Sequence, residues 1–304
     1  MTGEPEITFK TSMEFQYGAP QPMSPGVVRV VARNPGPFTF NGTNTYLVGT
    51  TGLAVIDPGP DDDEHLRVIL ETAAGRPITH ILVTHAHRDH ADGAAALKDA
   101  TGALTCAMAR AGGPPVSPGP SPSGKEFVNW DFVPDRVLAD GDAVAGSDWR
   151  LEAIHTPGHA PDHLCFALTG RRILFTGDHV MAWNTTVIAP PEGRMSHYME
   201  SLERLRDRND RLYLPAHGGR IEAPGRTVKA YLIHRRWREQ AVLEAILEGH
   251  ETIPALVPVV YQHIQSELTR AAALSVYAHV ENLIARGLVA CDGPLAFDRR
   301  LFPT

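Results

Sequence analysis

Along the first two thirds of the chain, short apolar or β-branched runs alternate with turn residues and with stretches of helical period. Residues 27–32, 45–48 and 53–56 read as strands, the last two separated by a Gly/Thr turn. Asp61, Asp62 and Asp63 then place side-chain acceptors and negative charge where a helix starts, and its pattern runs to about residue 74. An apolar strand over 78–84 leads into His85-Ala86-His87-Arg88-Asp89-His90, and a helix over 92–100 follows and stops at Gly102. Residues 111–124, AGGPPVSPGPSPSG, have no period and read as a surface loop, either an inert insertion or a lid over a site. Strands resume at 137–138, 148–154, 164–168 and 171–175, a helix covers 197–208, and another strand covers 212–214.

From residue 228 the texture changes. Helical spacing over 228–248 is followed by a shorter helix after Pro254 and a third helix over 269–285, which Gly287 ends. Residues 288–290 and 295–297 flank Asp292-Gly293-Pro294 as an expected hairpin. Three helices and a hairpin outline a winged helix, so the chain divides into two units, 1–227 and 228–304.

The length of 304 residues suits two units, and 43% apolar with 21% charged residues excludes wholesale disorder, a collagen-like repeat or a long coiled coil. No run approaches the ~18 apolar residues of a membrane span. The opening MTGEPEITFK has neither a basic n-region nor an apolar h-region, which points to a cytoplasmic protein. Cys106, Cys165 and Cys291 form no CxxC and read as small core residues. A net charge of -7 does not describe a surface coated with phosphate-binding residues, and 228–304 balances eight Lys/Arg against eight Asp/Glu, which argues against specific duplex DNA as a partner.

Histidine is the outlier, at 15 residues. The HxHxDH segment follows a strand directly. Downstream, Thr156-Pro157-Gly158-His159, Thr176-Gly177-Asp178 and Pro215-Ala216-His217-Gly218 each follow a strand end and carry a Gly beside the potential ligand. Five histidines and two aspartates exceed what one tetrahedral ion uses, but they suit two ions sharing a carboxylate and a water. Such a pair lowers the pKa of the bridging water toward neutrality and makes hydroxide available as nucleophile. Among weaker candidates, Asp57 ends a strand and is placed either to bond the free ring nitrogen of a liganding histidine or to serve as a plain turn residue. His163 either donates to an anionic substrate or caps a strand. Tyr198 either reaches a substrate oxygen or sits on a helix surface. His179 is taken as structural.

With these residues in place, the chain resembles the metallo-β-lactamase superfamily. The segments Asn34-Pro35-Gly36-Pro37-Phe38, Asn41-Gly42-Thr43-Asn44-Thr45-Tyr46-Leu47 and Thr185-Thr186-Val187, with HRRWREQ in the 228–248 helix, are similar to its lactamase-beta-2-like subgroup, where a winged helix follows the catalytic unit. The resemblance implies an α+β fold, an αββα sandwich with a C-terminal winged-helix-like domain. It implies that His85, His87 and His159 hold one divalent ion, that Asp89, His90 and His217 hold a second, and that Asp178 bridges them, with zinc expected and manganese or iron as substitutes. Asp89 and Asp178 would also handle protons. The substrate it implies is single-stranded RNA, with Arg235, Arg236 and Arg238 as strand-guiding charges. The alternative is a small ester, thioester or lactone of the glyoxalase II type. Further readings are a nucleic-acid binder without catalysis and an iron persulfide dioxygenase of the same fold. The C-terminal unit is expected to pack on the sandwich or to mediate a homodimer.

Overall fold

The computed structural model describes residues 7–110, 126–262 and 264–304; the 111–124 loop and His263 lie outside the described residues. Two sheets carry the N-terminal part. The first has seven strands in chain order: β1 (Gln21–Ser24), β2 (Val27–Val31), β3 (Asn44–Val48), β4 (Leu53–Ile56), β5 (Ile78–Leu82), β6 (Leu104–Ala107) and β7 (Arg136–Val137). The second orders β8 (Ala143–Ala145), β9 (Arg150–His155), β10 (Leu164–Leu168), β11 (Ile173–Gly177) and β12 (Leu212–Pro215) as β12-β11-β10-β9-β8.

The unbroken apolar runs of the central strands follow from burial on both faces. In β3 and β4, Tyr46, Val48, Ala54 and Ile56 point into the core between the sheets. Their neighbours Leu47, Leu53 and Val55 point outward and pack under α1 (Asp63–Ala73) and α3 (Gly93–Thr101) through Val68, Ile69 and Leu97. In β10, Leu164, Phe166 and Leu168 face the inter-sheet core, while Cys165 and Ala167 face α4 (Met195–Arg206). Period-two side-chain alternation thus builds helix, sheet, sheet, helix in layers. Asp62 caps α1 as the sequence suggests, accepting from the amides of Glu64 and His65.

The C-terminal part consists of α5 (Pro224–Leu247), α6 (Ile253–Val260), a 3-10 turn (Ser266–Leu268), α7 (Thr269–Ala285) and a small sheet of β13 (Val289–Cys291) with β14 (Leu301–Pro303). The boundary expected at residue 227 falls after the first turn of α5, which Pro224 opens. The first half of that helix sends Val228, Tyr231 and Leu232 into the core under the second sheet, and its second half sends Val242, Ala245 and Ile246 into the C-terminal core. The wing also differs from the expected hairpin. Residues 295–297 do not pair; Leu295 and Phe297 turn inward onto the C-terminal core, and the returning strand lies later, with Ala290 opposite Phe302. Among the described residues, no helix is long and apolar enough to cross a membrane.

Candidate metal centre and cleft

The seven proposed ligands come from four strand ends on one edge of the sandwich. β11 pairs antiparallel with β10, which pairs antiparallel with β9, and β12 runs parallel to β11, so β9, β11 and β12 deliver His159, Asp178 and His217 at the same end. From the facing sheet, β5 delivers the histidine-rich segment. His85 lies in the bend that ends the strand segment and His87 on extended backbone, and a single helical turn, α2 (Arg88–Ala91), starts immediately after and lifts Asp89 and His90 to the same cluster. Gly177 is needed where β11 turns into Asp178. Its φ is +49°, and a Cβ there would lie 2.5 Å from His163 Nε2. Gly158, beside His159, has φ +139° and would place a Cβ 2.4 Å from the Tyr198 Cα.

Three overlapping groups present ligand atoms within 4.8 Å of one another: His85, His87 and His159; His85, His90 and Asp178; and Asp89, His90 and His217. In the first, His85 Nε2 and His159 Nε2 lie 2.9 and 3.1 Å from His87 Nδ1. Thr84 Oγ1 gives its proton to Asp57 Oδ2, so it accepts from His85 Nδ1, and His159 Nδ1 donates to the Val187 carbonyl at 2.7 Å. Two imidazole lone pairs therefore converge on one ring nitrogen, which can donate to only one of them. In the other half, His217 Nε2 lies 3.2 Å from Asp89 Oδ2 and 3.3 Å from Asp178 Oδ1. Despite these close approaches, His90 Nε2, His217 Nε2 and Asp178 Oδ1 are buried and make no hydrogen bond of good geometry within the protein. Buried polar atoms left this way are costly, and a divalent cation satisfies all of them together; the residues fit the ions.

The electrostatics divide the cluster. Burial, reinforced by the neighbouring imidazoles, holds His85 and His87 well below the usual histidine range, so both keep a lone pair at neutral pH. Burial also works against charge on His217, but Asp178 and Asp89 outweigh it and push its pKa up to about 10; the same carboxylates raise His90. Reciprocally, and against burial, the two imidazoles hold Asp89 and Asp178 below the carboxylate range.

Asp57 sits in a left-handed turn at φ +50°. Its carboxylate accepts from Thr84 N and Thr84 Oγ1, both at 2.8 Å, and its Oδ2 lies 3.0 Å from His90 Nδ1. His163 is not at the cluster's open side. Its Nδ1 meets Thr156 Oγ1 at 2.9 Å and its Nε2 accepts from the Asp178 amide at 3.2 Å, so it supports the Asp178 backbone and faces no substrate. Tyr198 reaches neither a substrate nor the surface. The buried face of α4, with Met195, Leu202 and Leu205, carries it inward, and its hydroxyl donates to the His179 carbonyl at 2.8 Å.

The family model described as the metallo-beta-lactamase superfamily matches residues 38–217. The chain belongs to the metallo-β-lactamase superfamily. A second model, the beta-lactamase associated winged helix domain, matches residues 252–294. Lactamase-like protein adaB of Aspergillus niger is 31% identical over 262 residues, covering 81% of this chain and 76% of that protein. Atrochrysone carboxyl ACP thioesterase nsrC of Aspergillus novofumigatus is 30% identical over 295 residues, covering 91% of this chain and 83% of its own. Among solved structures, a beta-lactamase domain protein from Burkholderia ambifaria superimposes with a TM-score of 0.78 at 21% identity, over 95% of this chain and 94% of that one.

In this member of the superfamily the cluster opens into a cleft continuous with solvent. His87, Asp89, His159 and Asp178 form its floor, and Phe38, Phe127, Met181, Trp183, Val187 and Leu268 dominate its walls; among the described residues no Lys or Arg lines it. Phe127 packs edge-on against His87, with ring centroids 4.7 Å apart. Trp183 stacks on Phe40 at 5.0 Å. Leu268 belongs to the 3-10 turn, so the C-terminal unit contributes to the cleft.

Arg235 and Arg238 do not face solvent. Arg235 donates to the Thr186 carbonyl and its guanidinium lies 5.3 Å from the Tyr198 ring; Arg238 donates to the Val260 carbonyl and lies 4.3 Å from the Tyr261 ring. Arg236 is 64% exposed and pairs with Glu203. Sequence reasoning also missed Asp162 and Arg110. Asp162 lies in the Thr156 to His163 motif and is 3% exposed, and its Oδ2 accepts from the Ala86 amide at 2.9 Å. The only sequence signal for it is an acid where the motif otherwise carries ligands and turn residues.

Proposed function

We propose that this protein is a dinuclear metal-dependent hydrolase whose substrate is a thioester with an apolar acyl group. The observation that carries this reading is the cleft: its floor is the His/Asp cluster and its walls are mostly apolar and aromatic, with no Lys or Arg among the described residues that line it. A strand of RNA brings one negative charge per nucleotide and calls for Lys or Arg along its path. The arginines offered for that role are buried on carbonyls or paired with Glu203, and no described residue of the cleft offers a cation to RNA. A relative that this chain matches over 91% of its length is named a thioesterase acting on a carrier-protein-bound acyl group, which supports the same chemistry here.

His85, His87 and His159 would hold one ion, Asp89, His90 and His217 the other, and Asp178 would reach both. Zinc is the expected metal from the nitrogen and carboxylate donors. What the ions supply when bound is Lewis-acid polarisation of the carbonyl and an acidified water. The chain's own part is preorganisation. Asp57, Thr84, Val187 and Gly42 engage the outward ring nitrogens of His90, His85, His159 and His217, which turns the opposite nitrogen of each toward the cluster. Asp89, with 29% of its side chain exposed on the cleft floor, is placed to take a proton from an attacking water. The apolar walls exclude bulk water around the acyl group and orient it over the floor.

The test is thiol release from acyl N-acetylcysteamine thioesters by chelator-stripped protein before and after addition of zinc or manganese. Metal-restored turnover is the expected result. Cleavage of single-stranded RNA with no thioester turnover would overturn the reading.

A further inference from the structure

Arg110 is a nearly buried cation, with 10% of its side chain exposed, that no ligand role uses. Its Nη1 donates to Asp162 Oδ1 at 2.7 Å, its Nη2 bonds Glu192, and its guanidinium lies 4.6 Å from the Trp130 ring. Asp162 leads by a hydrogen bond to the segment of His85 and His87, and Glu192 lies five residues along the chain from the carbonyl that holds His159. Through Asp162, the contact continues to the Ala86 amide, between His85 and His87. Glu192 ends the 181–192 stretch, whose Val187 carbonyl takes the His159 Nδ1 proton. His159 lies three residues before Asp162. No comparable contact runs from Arg110 to Asp89, His90 or His217 among the described residues.

We propose that Arg110 is a positioning residue, a clamp that sets the spacing of the three-histidine half-site and leaves the Asp89, His90, His217 half-site to Asp57. It acts through Asp162 and Glu192 and does not touch the ions or the substrate. A planar guanidinium suits this task because it bonds two carboxylates at fixed angles, which a lysine ammonium does not. The proposal rests on the dinuclear reading above.

The experiment is zinc titration of chelator-stripped, ¹⁵N-histidine-labelled full-length protein, reading ring-nitrogen signals by NMR and affinities by competition with a chromophoric chelator. Wild type should take up two zinc ions. In Arg110→Met, the signals of His85, His87 and His159 should respond only at roughly 10- to 100-fold higher free zinc, the usual loss when an outer support of a ligand set is removed. Those of His90 and His217 should respond as in wild type. Arg110→Lys should recover part of the loss. Leu151→Ala, a cavity in the inter-sheet core, serves as a control that lowers stability without touching the clamp.

Uptake of both ions by Arg110→Met with wild-type affinities would overturn the clamp, as would equal weakening of the two half-sites. If Arg110→Met unfolds, Arg110→Lys carries the test alone, and an unshifted three-histidine half-site in it would overturn the clamp. No zinc uptake by wild type would instead overturn the dinuclear reading itself, and the clamp with it.

Discussion

Replacing Asp57 by asparagine separates what that carboxylate does for the fold from what it does for His90. It accepts three hydrogen bonds, from Thr84 N, Thr84 Oγ1 and His90 Nδ1, at 2.8, 2.8 and 3.0 Å. Asparagine tolerates the left-handed backbone and keeps a carbonyl for Thr84 N. Its amide nitrogen, however, replaces Oδ2 and sets a donor against His90 Nδ1–H. The ring relieves the clash by moving its proton to Nε2, and the lone pair facing the cluster disappears. Loss of a hydrogen bond to a charged group is worth about 1.5–3 kcal/mol, a factor of about 10–100 in ion affinity at the Asp89, His90, His217 half-site. Stability of the metal-free fold should fall by about 2–3 kcal/mol, less than for alanine, since the Thr84 amide keeps its acceptor while Thr84 Oγ1 and His90 Nδ1 lose theirs. Asp57→Ala orphans all three donors and strains the φ of +50°, so it should cost about 3–5 kcal/mol. Chelator competition for zinc, together with urea unfolding of the stripped proteins, reads both quantities. Wild-type zinc affinity in Asp57→Asn would refute the argument, because the carboxylate would then shape the turn without choosing the His90 tautomer.

Arg235→Glu should destabilise by more than about 3 kcal/mol in urea unfolding, because it buries an acid against the Thr186 carbonyl, whereas Arg236→Glu should stay within about 0.5 kcal/mol; similar losses would contradict the burial described. Burial lowers the His65 pKa to about 4, so the unfolded chain binds the proton first. Stability is therefore flat above about pH 6.5 and declines toward pH 4, by on the order of 3 kcal/mol from this residue; His65→Gln should flatten the acid limb of a stability-against-pH curve, and an unchanged slope would refute it. His234, lowered to about 3 by burial, acts in the same direction, so some slope remains. Leu268→Asp should raise KM for apolar acyl thioesters at least tenfold with metal content unchanged; an unaltered KM would place the acyl group elsewhere.

The ligand motifs were legible because four apolar runs end in short segments rich in His or Asp, three of them with a Gly beside the ligand, and β-strands deliver such ends to a common edge. Asp57 was legible for the same reason, as an acid at a strand end. What escaped were partners far apart in sequence. Arg110 and Asp162 are separated by 52 residues, and Arg235 meets Thr186 across 49. No local pattern marks an arginine whose acceptor is a distant carbonyl, so HRRWREQ read as a charged face. Tyr198 carried the helical period of α4, but the period gives a direction and not a depth. The wing register failed because Leu295 and Phe297 alternate as a strand would, while their apolar side chains find the C-terminal core before any strand partner.

The long helix α5 ties the far end of the chain to the cleft. The Tyr231 hydroxyl shares its one proton between the Met181 and Asn184 carbonyls, and Arg235 holds Thr186 one turn later. The 181–187 stretch, which supplies Met181, Trp183, Asn184, Thr185 and Val187 to the cleft, is thus buttressed from behind by a helix whose other half belongs to the winged-helix core. Removing that unit would not yield a smaller enzyme with the same pocket; it would take away the scaffolding of one wall. It also means that divergence within the winged helix can reshape the cleft over generations while every residue of the His/Asp cluster stays as it is.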